Sequence, residues 1–337
     1  MNMRNHWRII AGVLLVTACC ARAATLAELF ATAPIARGWK VFGDTNLFRW
    51  NATNENLEVT WDSSRSNSFF HLPLGTIVSK SDDFSLAFDL RLSDIAIGTS
   101  SNKPDTFEIA IGLINSINAT NPNSFRGMGV SAAYGVRNAI EFDYFPAAGI
   151  IDATFAPTVI SSNNAIAFSD NRLEMSMNAL FRISMTYSAS NQTLKTSVTR
   201  NGVPFGSPPG NTLKDLALAN HKDFRVDQLA IINYSDALQF GSTQYWGSIL
   251  AHGVVDNVVV NVPDGPLSDL VGTKTNSTWR ATFATKTNWF YSLERTEDFV
   301  AWSPASPTNS GTGGMLLLED TNASADQWFY RVKVSKP

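Results

Sequence analysis

The segment DFSLAFDLRLSDI, residues 83–95, limits the chain more than any other stretch. Phe84, Leu86, Phe88, Leu90 and Leu92 recur at every second position, with Ser85, Ala87, Asp89 and Arg91 between them. A helix would scatter these five apolar side chains around its axis. A strand sends them all to one face, so the pattern predicts a strand with one side in a core and the other in water. The same period runs through NLEVTWDSS, around Leu57, Val59 and Trp61. It returns in residues 106–114, 137–145, 180–190, 193–202, 224–235 and 253–263. The 180–190 and 193–202 runs meet at SASNQ and predict a hairpin. Two helical fragments break the pattern. Thr25-Leu26-Ala27-Glu28 has capping-box spacing, and NTLKDLALAN, residues 211–220, offers the other. Around ten strands separated by turns predict an all-β sandwich or jelly roll.

At 337 residues the chain is long enough for about two domains. Two prolines and a glycine in VPDGPLSD, residues 262–269, follow the last strong strand of the larger part. The expected division is a jelly roll over 24–263 and a small β-sandwich over 264–337. Trp279, Trp289, Trp302 and Trp328 supply the core of the smaller part.

Residues 1–23 read as a signal peptide. Arg4 and Arg8 precede the apolar run IIAGVLLVTA, and Ala21-Arg22-Ala23 offers a cleavage site. That run is about half of what a bilayer-spanning helix needs, so no transmembrane segment is expected. VTAC at Val16–Cys19 is similar to a lipobox, and this leaves two expectations: a cleaved secreted protein, or one lipid-anchored at Cys19. Removing 1–23 takes away both cysteines, Cys19 and Cys20, and with them thiolate chemistry. It also removes three of the 26 cations and none of the 29 acids, leaving a net charge of −6. With no basic cluster to follow a phosphate backbone, a nucleic-acid partner is excluded from the expectations.

The chemistry-bearing stretch is NAIEFDYFP, residues 138–146. Glu141 and Asp143 stand two apart and share one strand face, with Cα atoms about 6.6 Å apart. Such a pair admits three readings. One is a hydrolytic carboxylate pair. A second is a cation site, because a divalent ion relieves the repulsion of two like charges. The third is a solvated face paired with Arg126 or Arg137, beside a packed face carrying Phe142 and Tyr144. His71, His221 and His252 are far apart in sequence and read as surface or packing residues.

Three segments together resemble the concanavalin A-like lectin/glucanase superfamily of L-type lectins and laminin-G-like modules. They are FGDTNLFRW through LEVTWDSSRSNSFFHLPL, then DDFSLAFDLRL, then DTFEIAIGLIN through RGMGVSAAYGVRNAIEFDYFP. The resemblance spans roughly residues 38–263. It implies a concanavalin A-like jelly roll that binds a glycan or polysaccharide on its concave sheet, without catalysis. Asp105 and the loop Arg126, Gly127 and Gly129 match the carbohydrate-binding positions, although Thr106 stands where the family has glycine. Glu141 and Asp143 match the ligands of a transition ion and Ca2+, and Asp152 is the only further acid close behind them. Jelly-roll glucanases of this superfamily use Glu-x-Asp-x-Glu, and Phe145 stands here where the resemblance would place the second Glu. A glycoside hydrolase or polysaccharide lyase is therefore the alternative, and a structural or adhesion protein a third. The tail is similar to a fibronectin III-like module of exported bacterial proteins, through Tyr291, Glu294-Arg295-Thr296, Trp302, Asp320 and Phe329-Tyr330-Arg331-Val332.

Overall fold

A computed structural model describes residues 23–99, 108–121, 135–148, 152–206, 213–235, 248–323 and 328–337. The signal-peptide expectation, including Cys19, and the carbohydrate-binding candidates Asp105, Arg126, Gly127 and Gly129 lie outside the described residues.

Within the described residues the alternating segments form two large sheets. One runs edge to edge through Val203–Pro204, Thr193–Arg200, Phe181–Ser188, Phe84–Ile97, Ile249–Pro263, Asn56–Asp62 and Phe48–Asn51. Ala23–Glu28 joins it on Ile249–Pro263, and Leu216–Ala217 on Thr193–Arg200, making nine strands. The other has seven: Ile166–Phe168, Thr154–Ile160, Ala139–Phe145, Ile109–Ile114, Arg225–Asn233, Ser68–Ser79 and Lys40–Phe42. Every pairing in these two sheets is antiparallel.

The two sheets share one core. Phe84, Leu86, Phe88, Leu90 and Leu92 all enter it, as the period-two pattern predicts. From the other sheet come Ile109, Ile111 and Leu113, with Ile140, Phe142 and Tyr144. Phe88 and Phe142 meet edge to face at 6.0 Å, one ring from each sheet. The predicted hairpin forms with Phe181 opposite Arg200 and Ser188 opposite Thr193.

Neither predicted helix forms among the described residues. Ala23–Glu28 is a strand, paired from Ala23 opposite Pro263 to Glu28 opposite Val258. A capping box is worth about 1 kcal/mol, and a six-residue ladder on an open strand outweighs it. The Glu28 carboxylate, expected at a helix start, instead accepts from Phe30 N at 2.5 Å and Trp39 Nε1 at 2.8 Å, and pairs with Arg37. In the second fragment, residues 213–220 contain only Leu216–Ala217, paired with Thr193 and Leu194. A one-turn helix, Ser116–Ala119, was not legible; Asn115 caps it by accepting from Asn118 N at 3.1 Å.

From Leu267 onward the strands form two smaller sheets. One holds Leu267–Thr275, Thr278–Thr285 and Met315–Asp320, and the other Ser303–Pro304, Phe290–Thr296, Asn309–Ser310 and Phe329–Ser335. Ala281, Phe283, Trp289, Tyr291, Leu293 and Leu318 make their shared core. Asp320 ties it together, accepting from Arg295 at 2.7 Å and from the Tyr330 hydroxyl at 3.0 Å. Trp279 stacks on Tyr330 with ring centres 4.2 Å apart.

Candidate functional site

The strand Ala139–Phe145 has two faces of different chemistry. Ile140, Phe142 and Tyr144 point between the sheets, while Ala139 belongs to a second apolar cluster on the outer side of the seven-stranded sheet. Glu141 and Asp143 share the parity of Ala139 and therefore this outer side. The start of the strand is pinned by Asn138, whose φ is +55°. Its side chain donates to Asn118 at 2.7 Å and accepts from Arg225 N at 2.9 Å. Tyr144, on the inner side, accepts from Met175 N at 3.2 Å, and burial pushes its hydroxyl up to about 12.

The expectation of a solvated face is corrected by burial. Glu141 and Asp143 are both 0% exposed. Alternation in sequence reports which residues share a face and is silent on whether that face meets water. Here both faces of the strand are buried, so all residues from Ala139 to Tyr144 are out of solvent.

The neighbouring strand builds the floor beside the acids. Ala110 stands opposite Asp143, and Gly112 opposite Glu141. A Cβ on Gly112 would lie 2.2 Å from the Ile140 carbonyl oxygen, so the two backbones approach as only glycine allows. These small residues also leave room for a longer reach. Tyr234, just beyond the strand Arg225–Asn233 on the far side of Ile109–Ile114, donates its hydroxyl to Glu141 Oε1. Its ring meets Phe69 edge-on at 6.1 Å, and it is 3% exposed.

A third acid comes from the same floor. Glu108 precedes the strand Ile109–Ile114 and has the parity of Ala110 and Gly112. Continuing the register one residue past Ile109 opposite Tyr144 sets Glu108 across from Phe145. It is 5% exposed. Cross-strand neighbours point to the same side, so Glu108, Asp143 and Glu141 form a diagonal acidic row, Glu108 and Asp143 about 7–8 Å apart at Cα. Glu108 belongs to no motif in the sequence, although the alternation of residues 107–114 places it on that face. Tyr234 had no local signal, because its partner is 93 positions away.

Asp152 is not drawn into this row. Its carboxylate is 66% exposed and pairs with Arg172 at 3.1 Å. Among the described residues no three His, Cys, Asp or Glu side chains gather as a metal site. Calcium takes six to eight oxygens, and the three acids of this row are spread along the face rather than gathered about one point, with Glu141 already bound by Tyr234. The described residues therefore do not by themselves fit a calcium cage. On the same outer side, His71 Nδ1 lies 3.1 Å from Gln228 Oε1, a packed pair as the sequence suggested.

No family model and no curated protein matches the chain. Among solved structures, it is similar to peanut lectin with a nine-residue peptide, at 12% identity over 72% of this chain and 95% of that one, TM-score 0.38. It is similar to the seed lectin of Lotus tetragonolobus at 10% identity, over 72% of this chain and 100% of that one, TM-score 0.42. Winged bean acidic lectin complexed with methyl-α-D-galactose gives 11% identity over 72% and 100%, TM-score 0.40. Among the described residues, no helix is long and apolar enough to cross a membrane.

Proposed function

We propose that the chain is an exported, non-catalytic carbohydrate-binding protein that takes its ligand on the outer side of the seven-stranded sheet. The observation that supports this is the acidic row Glu108, Asp143 and Glu141, with Tyr234 closing on Glu141. Burying carboxylates costs several kcal/mol each before partners compensate, and replacing such groups with apolar ones often stabilises a fold. A row of three on one face is therefore better explained by what it positions than by stability. At 0–5% exposure these acids serve as a supporting floor. The contact residues in this reading are Asp105, Arg126, Gly127 and Gly129, carried by the sequence resemblance. Export, as a secreted or Cys19-anchored protein, rests on residues 1–23 alone.

A glycan array tests the proposal. Binding by the wild-type protein, lost in Asp105→Ala and weakened in Glu141→Gln, is the expected result; an array without hits sinks it and favours a structural or adhesion role. Calcium is tested by melting. A rise in Tm at millimolar Ca2+, abolished by Asp143→Asn, establishes a cation site with ligands beyond the described ones, and no shift removes it.

One observation favours a second reading. Glu108 supplies a carboxylate opposite Phe145, the position whose lack of an acid counted against hydrolysis in the sequence. Release of reducing ends or unsaturated sugars from a polysaccharide panel, lost in both Glu108→Gln and Glu141→Gln, would replace the binding reading with a hydrolase or lyase.

A further inference from the structure

The outer side of the nine-stranded sheet carries a separate polar site. Strand Ile249–Pro263 pairs with Phe84–Ile97 so that His252 faces Asp94, and then slips so that Gly253 faces Leu92. Ser93 is the extra residue of this β-bulge. Bulges re-aim side chains and concentrate beside binding sites. The slip needs Gly253, where a Cβ would stand 2.6 Å from the Arg91 carbonyl oxygen.

The bulge brings Asp94 Oδ1 to 2.8 Å from His252 Nδ1, across 158 positions of chain. With Nδ1 committed, the ring is held and Nε2 is the nitrogen that remains for a ligand. The next row across the sheet is Arg49, Glu58, Val254 and Arg91. Arg49 is held by Glu58, which also accepts from Asn51 at 2.6 Å. Arg91 is exposed and has no ion pair among the described residues. Thr60, Arg91, Ser93, His252 and Val254 line a groove of about 370 Å3 between these rows. The two acids that could repel an anion there, Glu58 and Asp94, are each already engaged by a donor.

We propose that this groove binds the oxyanion of an acidic sugar, a carboxylate or a sulfate ester. Arg91 supplies the fork of donors that such a group takes in two parallel hydrogen bonds. His252 lines the same groove, and Thr60 offers a hydroxyl to the ring substituents; the Ser93 hydroxyl donates to the His252 carbonyl at 3.0 Å, which leaves its oxygen to accept. The volume lies in the usual range of small-ligand pockets. The whole chain carries −3, so a polyanion gains nothing from its overall field and must find a local site.

Affinity electrophoresis of the full chain with two matched pairs of polymers tests this. Polygalacturonate is set against its methyl ester, and dextran sulfate against dextran. The expected result is retardation by one or both acidic polymers and by neither neutral one; whichever acidic polymer acts identifies the oxyanion. Arg91→Gln should weaken that binding about tenfold or more, as loss of a charge-assisted pair does. Lys274→Gln, an exposed cation on the smaller sheets, should leave it unchanged. No retardation by either acidic polymer, equal retardation by the neutral ones, or equal loss in both variants overturns the proposal. Both substituted side chains are exposed, so folding is not at stake, and a matching Tm for each variant checks this. The proposal is independent of the acidic row: neutral-glycan binding lost in Asp105→Ala but kept in Arg91→Gln separates the two sites.

Discussion

The outer sides of the two large sheets put charge to opposite uses. On the seven-stranded sheet, Glu108, Glu141 and Asp143 are buried, and a tyrosine from two strands away closes on one of them. On the nine-stranded sheet, Arg49, Glu58, Asp94 and His252 form pairs whose members remain at least a quarter exposed. A charge withdrawn from water makes its partners energetically decisive, whereas the same charge in water is screened and its pairs are worth little. An alternating strand can thus hold charge for position on one sheet and for access on the other.

The largest effect expected is at the close approach beneath the acids. Gly112→Val would drive a side chain into the Ile140 carbonyl, 2.2 Å from the new Cβ, and should cost about 3 kcal/mol or more, or prevent soluble expression. Urea unfolding with an unchanged midpoint would show that the two strands are not as close as described. Next in size is Tyr234→Phe, which leaves Glu141 without its phenol donor. A loss of about 1–3 kcal/mol is expected when a buried acceptor loses its donor, read from the same urea unfolding. If stability is unchanged, the buried acids are not organised by that contact.

On the other sheet, Arg49→Ala should cost less than about 1 kcal/mol and lose even that in high salt. A cost matching that of Tyr234→Phe would erase the contrast between the faces. The smallest effect is a pH dependence. The hydrogen bond from Asn51 holds the Glu58 carboxyl below its ordinary value of 4.5, with partial burial opposing and Arg49 assisting. A carboxylate depressed in the folded state adds stability above its unfolded pKa and loses it as pH falls through the folded one. Glu58→Gln should therefore flatten the acid limb of the stability curve below about pH 4.5 and change little at neutral pH. Urea midpoints from pH 3 to 6 measure this, and an unaltered acid limb would assign it to other carboxylates.

Much of the sandwich was legible because period two is a local property. Phe84 to Leu92 declared one buried face within nine residues, and Ile140, Phe142 and Tyr144 declared another. The shared face of Glu141 and Asp143 was legible for the same reason. The strand Ala23–Glu28 was not, because its capping box is local and its ladder lies with residues 258–263. Nor were Glu108 as a neighbour of Asp143 and Tyr234 as a neighbour of Glu141 legible, since their places depend on register across strands.

The sequence by itself determined that this is an all-β chain, which residues of each strand lie together, and that a pair of acids falls on one face. Those follow from backbone geometry, which repeats every two residues whatever the rest of the chain does. Only the tertiary structure decided that this acidic face is buried while the face bearing Arg91 and His252 is open. Burial depends on which element lies over a sheet, and the bulge at Ser93 depends on a partner strand some 158 positions away. Neither is encoded in any single strand.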